Sequence, residues 1–133
     1  MFRLPVLASS PLDFWSRRWN LFYSRWAYRN LVFPLRRVLR ALPAVAAVFV
    51  VSAAFHEYLV LLTLGETRGE MTAFFLLQGA AVIAEIWWRR NRGPRRLPRL
   101  AAWTLQSAWM GLTTVLFFAR MERILAFDMA HRI

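Results

Sequence analysis

A chain of 133 residues allows one domain, and 59% hydrophobic with 16% aromatic residues is too apolar for an ordinary soluble fold of that size. Its net charge of +11 comes from arginine alone, and because the arginines sit between apolar runs they favour anionic lipid headgroups over nucleic acid. With no cysteine, disulfides, thiolate chemistry and cysteine metal sites are excluded, and no metal site is expected. Near the N-terminus only 4–8 is apolar, and Pro5 breaks it, which is too short for the core of a secretory signal.

Ser10, Pro11 and Asp13 predict a helix start, with a serine N-cap, proline at the first position and a carboxylate at the positive end. A helix over 11–29 then places Trp15, Trp19, Phe22, Tyr23 and Trp26 on one face, edged by Arg18, Arg25 and Arg29. That is the pattern of an amphipathic helix lying in the membrane interface. Pro34 is expected to break the path at Phe33. A short basic segment then leads into an unbroken apolar run over 41–64, long enough at about 1.5 Å per residue to cross a hydrocarbon core of about 30 Å. Gly65 is a natural C-cap. A second run, 71–88, carries Gln78 and Glu85 on one face and ends in Trp87 and Trp88. A third, 100–119, repeats the spacing with Gln106 and Thr113. The polar stripes serve either as helix-packing glue or as the lining of a common interior.

The expected architecture is all-α: one integral membrane bundle over 1–133, with three transmembrane helices preceded by an interfacial helix. Arginine counts orient it, with eight in the first 40 residues, one in 65–70, six in 89–99 and three from 120 onward. By the positive-inside rule the N-terminal region and second loop are cytosolic. The membrane is the bacterial cytoplasmic membrane, or the endoplasmic reticulum if the source is eukaryotic; arginine without lysine hints at the former.

His56 and Glu57 lie in the second half of the first span, where ionisable residues are costly and usually face protein or water. An unperturbed imidazole titrates near 6.5, which makes it a natural general base at neutral pH, and Glu57 is placed to tune or orient it. Asn20 ends a tryptophan- and arginine-rich segment 36 residues earlier. The stretch Phe14-Trp15-Ser16-Arg17-Arg18-Trp19-Asn20, followed by Phe49-Val50-Val51-Ser52-Ala53-Ala54-Phe55-His56-Glu57-Tyr58, resembles the membrane-bound O-acyltransferase family. The sterol and diacylglycerol acyltransferase form has tyrosine and aspartate where this chain has Trp15 and Arg17. The wax synthase form, with paired arginines before tryptophan, fits better.

The resemblance implies transfer of an acyl group from acyl-CoA, with no further cofactor, to the hydroxyl of a lipid or long-chain alcohol. His56 and Asn20 stand in the catalytic places, His56 as base and Asn20 either positioning the acyl group or donating to the oxyanion. Arg17, Arg18 and Arg25 are candidates for the phosphates of coenzyme A, or equally for lipid phosphate. Trp15, Trp19, Ser52 and Glu57 complete the substrate-binding candidates. Members carry more spans than this chain, which looks like their C-terminal part, so missing N-terminal helices or an oligomer are expected to complete the site. The competing reading is a non-catalytic membrane protein in which His56, Glu57 and Glu85 pack or relay protons.

Overall fold

Ser10 starts the first helical turn as its position predicts: Pro11 follows it, and its hydroxyl accepts the Asp13 N–H at 3.1 Å. The computed structural model describes residues 2–93 and 97–131, together with the side chains of all these except 119, 120, 127, 128 and 131. Residues 94–96 of the basic loop, Arg132 and the Arg120 side chain lie outside the described residues, and with them part of the arginine asymmetry.

The single helix expected over 11–29 is interrupted. The turn Pro11–Asp13 widens into a π-turn, Phe14–Arg18, and the chain leaves helical geometry at Trp19 and Asn20. Asn20 has a φ of +38°, in the left-handed region that asparagine tolerates better than most residues. It caps a new helix, α1 (Leu21–Ala27), by accepting the Tyr23 N–H on its Oδ1 at 3.2 Å. The break splits the aromatic stripe. Trp15 and Tyr23 are half-buried, whereas Trp19, Phe22 and Trp26 are exposed. Nor does Pro34 end the path: helical geometry runs through a π-turn, Tyr28–Val32, into Phe33–Leu35. The wider turn lies where the proline ring would otherwise meet the carbonyl four residues back. The path ends at Arg40, whose backbone is extended.

Helix α2 (Ala41–Leu64) has the bounds the apolar run predicts. Pro43 falls in its first turn, where no intrahelical donor is lost. Gly65, at φ +70°, closes the helix by donating to the Leu61 carbonyl at 2.8 Å. Helix α3 (Glu70–Arg92) runs four residues past the expected end. The added Arg89, Arg90 and Arg92 suit the negative helix end, and Arg89 pairs with Glu85 one turn back. Helix α4 (Arg99–His131) continues 12 residues beyond 119, because the charges after that point end the apolar run without supplying a glycine or proline to end the helix. By length and composition two helices, α2 and α3, suffice to cross a membrane. Among the described residues there is no strand.

α2 and α3 form an antiparallel hairpin around Phe49, Ala53, Phe74, Phe75 and Val82. The N-terminal segment lies across it: Trp15 meets the rings of Phe49, Phe74 and Phe75, and the Leu12 N–H donates to Glu85 Oε2 at 2.8 Å. α4 packs antiparallel to α3. Thr113 bonds to Gln78, and Arg123 reaches Glu66 at 3.5 Å near the opposite end.

Gly79 sets the closeness of the hairpin. A methyl group there would stand 2.8 Å from Phe49 Cβ and Cγ. Phe49 is itself buried and backed by Trp15, so neither side can yield cheaply. Gly79→Ala is therefore expected to destabilise the protein by about 1–3 kcal/mol, the usual cost of overpacking. Thermal unfolding in detergent is the measurement, and an unchanged midpoint would show that the two helices slide apart freely.

Candidate active site

His56 sits half-buried on α2 with its ring 4.2 Å, centroid to centroid, from that of Phe75 on α3. Its Nδ1 lies 2.7 Å from the carbonyl oxygen of Ser52, one turn earlier. A carbonyl only accepts, so Nδ1 carries the proton in that bond and, in the neutral ring, Nε2 keeps its lone pair.

Asn20 reaches this region by a bonded path. Its Oδ1 takes the Tyr23 N–H, the Tyr23 hydroxyl lies 2.7 Å from Ser52 Oγ, and the Ser52 carbonyl holds His56. With Oδ1 engaged in the cap, the amide orientation is fixed and Nδ2 is the end left to donate. Ser52 is 5% exposed, so its hydroxyl depends on Tyr23 for a partner. The importance of Tyr23 was not readable from sequence, where it figured only as one aromatic of a stripe.

Other predicted residues fall elsewhere. Glu57 directs its carboxylate to the start of α3, accepting from Gly69 N at 3.2 Å, Thr72 N at 2.8 Å and Thr72 Oγ1 at 2.9 Å. It serves as an N-cap supplied by the neighbouring helix. Arg18 is clamped to Asp13 at 2.7 Å and leans on the Arg3 and Leu4 carbonyls. Arg17 and Arg25 are exposed. Trp15 donates its Nε1–H to Gln78 Oε1 at 3.2 Å, as does Trp109 from α4, and Gln78 Nε2 donates to Thr113 at 2.7 Å. Gln78 is fully buried, so this stripe is glue between three parts of the chain. Glu85 lies toward the other end of the hairpin, against Leu12 and Arg89.

Gln106 differs from Gln78. It is 4% exposed, and neither its Nε2 nor its Oε1 has a partner among the described residues. It lies in the wall of a cavity of about 440 Å³ lined also by Phe14, Trp19, Trp103 and Met110. Trp19 is stacked on Phe14, with centroids 5.5 Å apart. Among the described residues no three histidine or carboxylate side chains gather to hold a metal.

The fold and the site define a helical membrane protein with a tautomer-fixed histidine set between apolar helices and an asparagine tied to it. The sequence pattern of the membrane bound O-acyl transferase family matches residues 1–77, more than half of the chain. The chain belongs to that family. It is similar to the probable long-chain-alcohol O-fatty-acyltransferase 7 of Arabidopsis thaliana, at 36% identity over 92% of this chain and 40% of that protein. The probable long-chain-alcohol O-fatty-acyltransferase 3 of the same plant is 35% identical over 79% of this chain and 36% of its own length. The long-chain-alcohol O-fatty-acyltransferase of Simmondsia chinensis is 36% identical over 64% of this chain and 27% of its own length. The chain thus spans about two fifths or less of the length of these relatives. No solved structure matches it.

Proposed function

We propose that this chain carries the asparagine and histidine centre of an acyl-CoA-dependent O-acyltransferase that esterifies a long-chain alcohol. One observation carries the reading: the Nδ1 bond to Ser52 leaves His56 Nε2 as the basic nitrogen, and the same bonded path holds Asn20 with its amide donor unused. In the proposed reaction Nε2 takes the proton of the alcohol as its oxygen attacks the thioester carbonyl. Asn20 Nδ2 donates to the oxyanion that forms. Collapse breaks the carbon–sulfur bond, and the leaving thiolate takes the proton back from the imidazolium, releasing ester and coenzyme A.

The cavity beside Trp19 suits the acyl chain, since its wall is mostly apolar, with Ser107 and Gln106 as its short polar side chains and the free Gln106 amide able to meet a carbonyl oxygen. In this reading Arg17 and Arg25, both exposed, meet the phosphates of coenzyme A, and the names of the relatives favour an alcohol acceptor. The test is formation of labelled ester from labelled acyl-CoA and a long-chain alcohol by membranes holding the protein. Acyl-CoA hydrolysis or no turnover, with the protein present, would remove the assignment.

The same proposal includes three membrane crossings, by α2, α3 and α4, with the segment before α2 at the cytosolic interface. The Arg123–Glu66 contact supports the third crossing, because it brings the far part of α4 to the loop between α2 and α3. Cysteines introduced at Thr67 and Met129 are expected to label from one side of a sealed vesicle and one at Gly93 from the other. Labelling of Thr67 and Gly93 from the same side would defeat this topology.

A further inference from the structure

We infer that Tyr23 is a positioning residue for this centre: through Ser52 it holds the His56 ring and the Asn20 amide in one fixed relation. The inference rests on the reading of His56 and Asn20 just given. Among the described residues Tyr23 is the one bonded toward both. Its backbone N–H fixes Asn20 Oδ1 at 3.2 Å, and its hydroxyl meets Ser52 Oγ at 2.7 Å. Asn20 and Tyr23 belong to the segment before α2, whereas Ser52 and His56 belong to α2 itself. Tyr23 is therefore a strut between two separate parts of the chain, and its ring, stacked on Trp26 with centroids 5.8 Å apart, is braced from its own side.

The chemistry needs such a strut. Catalytic groups held a fraction of an ångström from their working geometry lose much of their effect, and a displacement of about 1 Å can cost about 10²-fold. His56 Nδ1 bonds the carbonyl of the residue whose hydroxyl Tyr23 holds, so movement of Ser52 relative to α1 moves the base relative to the donor. If the hydroxyl of Tyr23 is removed, Ser52 Oγ is left buried without its partner. The turn of α2 that carries the Ser52 carbonyl then loses its tie to α1, and the His56 ring that rests on that carbonyl loses its fixed setting.

The test uses Tyr23→Phe, which removes one oxygen and keeps the ring, together with Ser52→Ala and the double variant. Tyr23→Phe is expected to lower kcat roughly tenfold with the KM for acyl-CoA unchanged, and to add no further loss once Ser52 is alanine. The second readout does not depend on turnover. Histidine ¹⁵N spectra in a His131→Asn background report whether the neutral His56 ring holds its proton on Nδ1 alone. The wild-type ring is expected to show that single tautomer, and Tyr23→Phe a mixture of both. Should Tyr23→Phe fail to reach the membrane, Ser52→Ala opens the same contact from its other end and must show the same mixture. Unchanged ring signals in the variants would overturn the inference, whatever the rates. A tautomer shift in a protein whose wild type forms no ester would uphold the positioning role while removing the acyl-transfer reading.

Discussion

His56→Asn is expected to lower ester formation by about 10² to 10⁴-fold, the usual worth of a positioned general base. The substitution is chosen for what it keeps. An asparagine amide nitrogen falls near the place of Nδ1 and can still donate to the Ser52 carbonyl, so the local packing of α2 against Phe75 is largely retained. What it lacks is any group at Nε2 able to take a proton. His56→Ala removes both the bond and the base, and agreement between the two variants assigns the loss to Nε2. The assay is labelled ester from labelled acyl-CoA at matched protein level. Near-wild-type turnover in His56→Asn would leave His56 as a packing residue and put the base elsewhere.

Asn20→Asp is the second large effect. Aspartate offers the same cap oxygen to the Tyr23 N–H and tolerates left-handed backbone, so α1 keeps its start. It has no N–H to give, and it brings negative charge toward a developing oxyanion. Turnover is expected to fall by about 10² to 10³-fold, the loss seen when one oxyanion donor is removed, at unchanged abundance and thermal midpoint. Asn20→Ala loses cap and donor together, and alanine at a φ of +38° adds strain, so stability falls by about 1 kcal/mol or more along with activity. An active Asn20→Asp protein would make Asn20 a helix cap and nothing else.

The parts of this molecule legible in its sequence are those set by local rules. α2 was readable to the residue because an unbroken apolar run ends at a glycine that can adopt a positive φ. The proposed pairing of Asn20 with His56 came from a family likeness rather than from geometry. The break at Asn20 was not, since asparagine is ordinary in mid-helix and takes the left-handed conformation only where the surrounding fold requires it. The length of α4 was hidden by treating the end of an apolar run as the end of a helix. Glu57 illustrates a subtler limit. Its neighbour in sequence is His56, but on a helix adjacent residues point about 100° apart, and the carboxylate meets the start of α3 instead. Tyr23 and Ser52 are 29 positions apart, a contact set by how α1 docks rather than by any spacing.

That use of Glu57 bears on how the protein enters a bilayer. The first amides of a helix have no partners of their own, and in hydrocarbon each unmet one costs several kcal/mol. By closing the amides of Gly69 and Thr72 from within the pair, Glu57 gives the start of α3 its partners without help from any other part of the chain. Gln78 remains the exception. Within the pair its amide nitrogen has no partner, and Thr113 of the last helix supplies one, so this bond ties α4 to the hairpin.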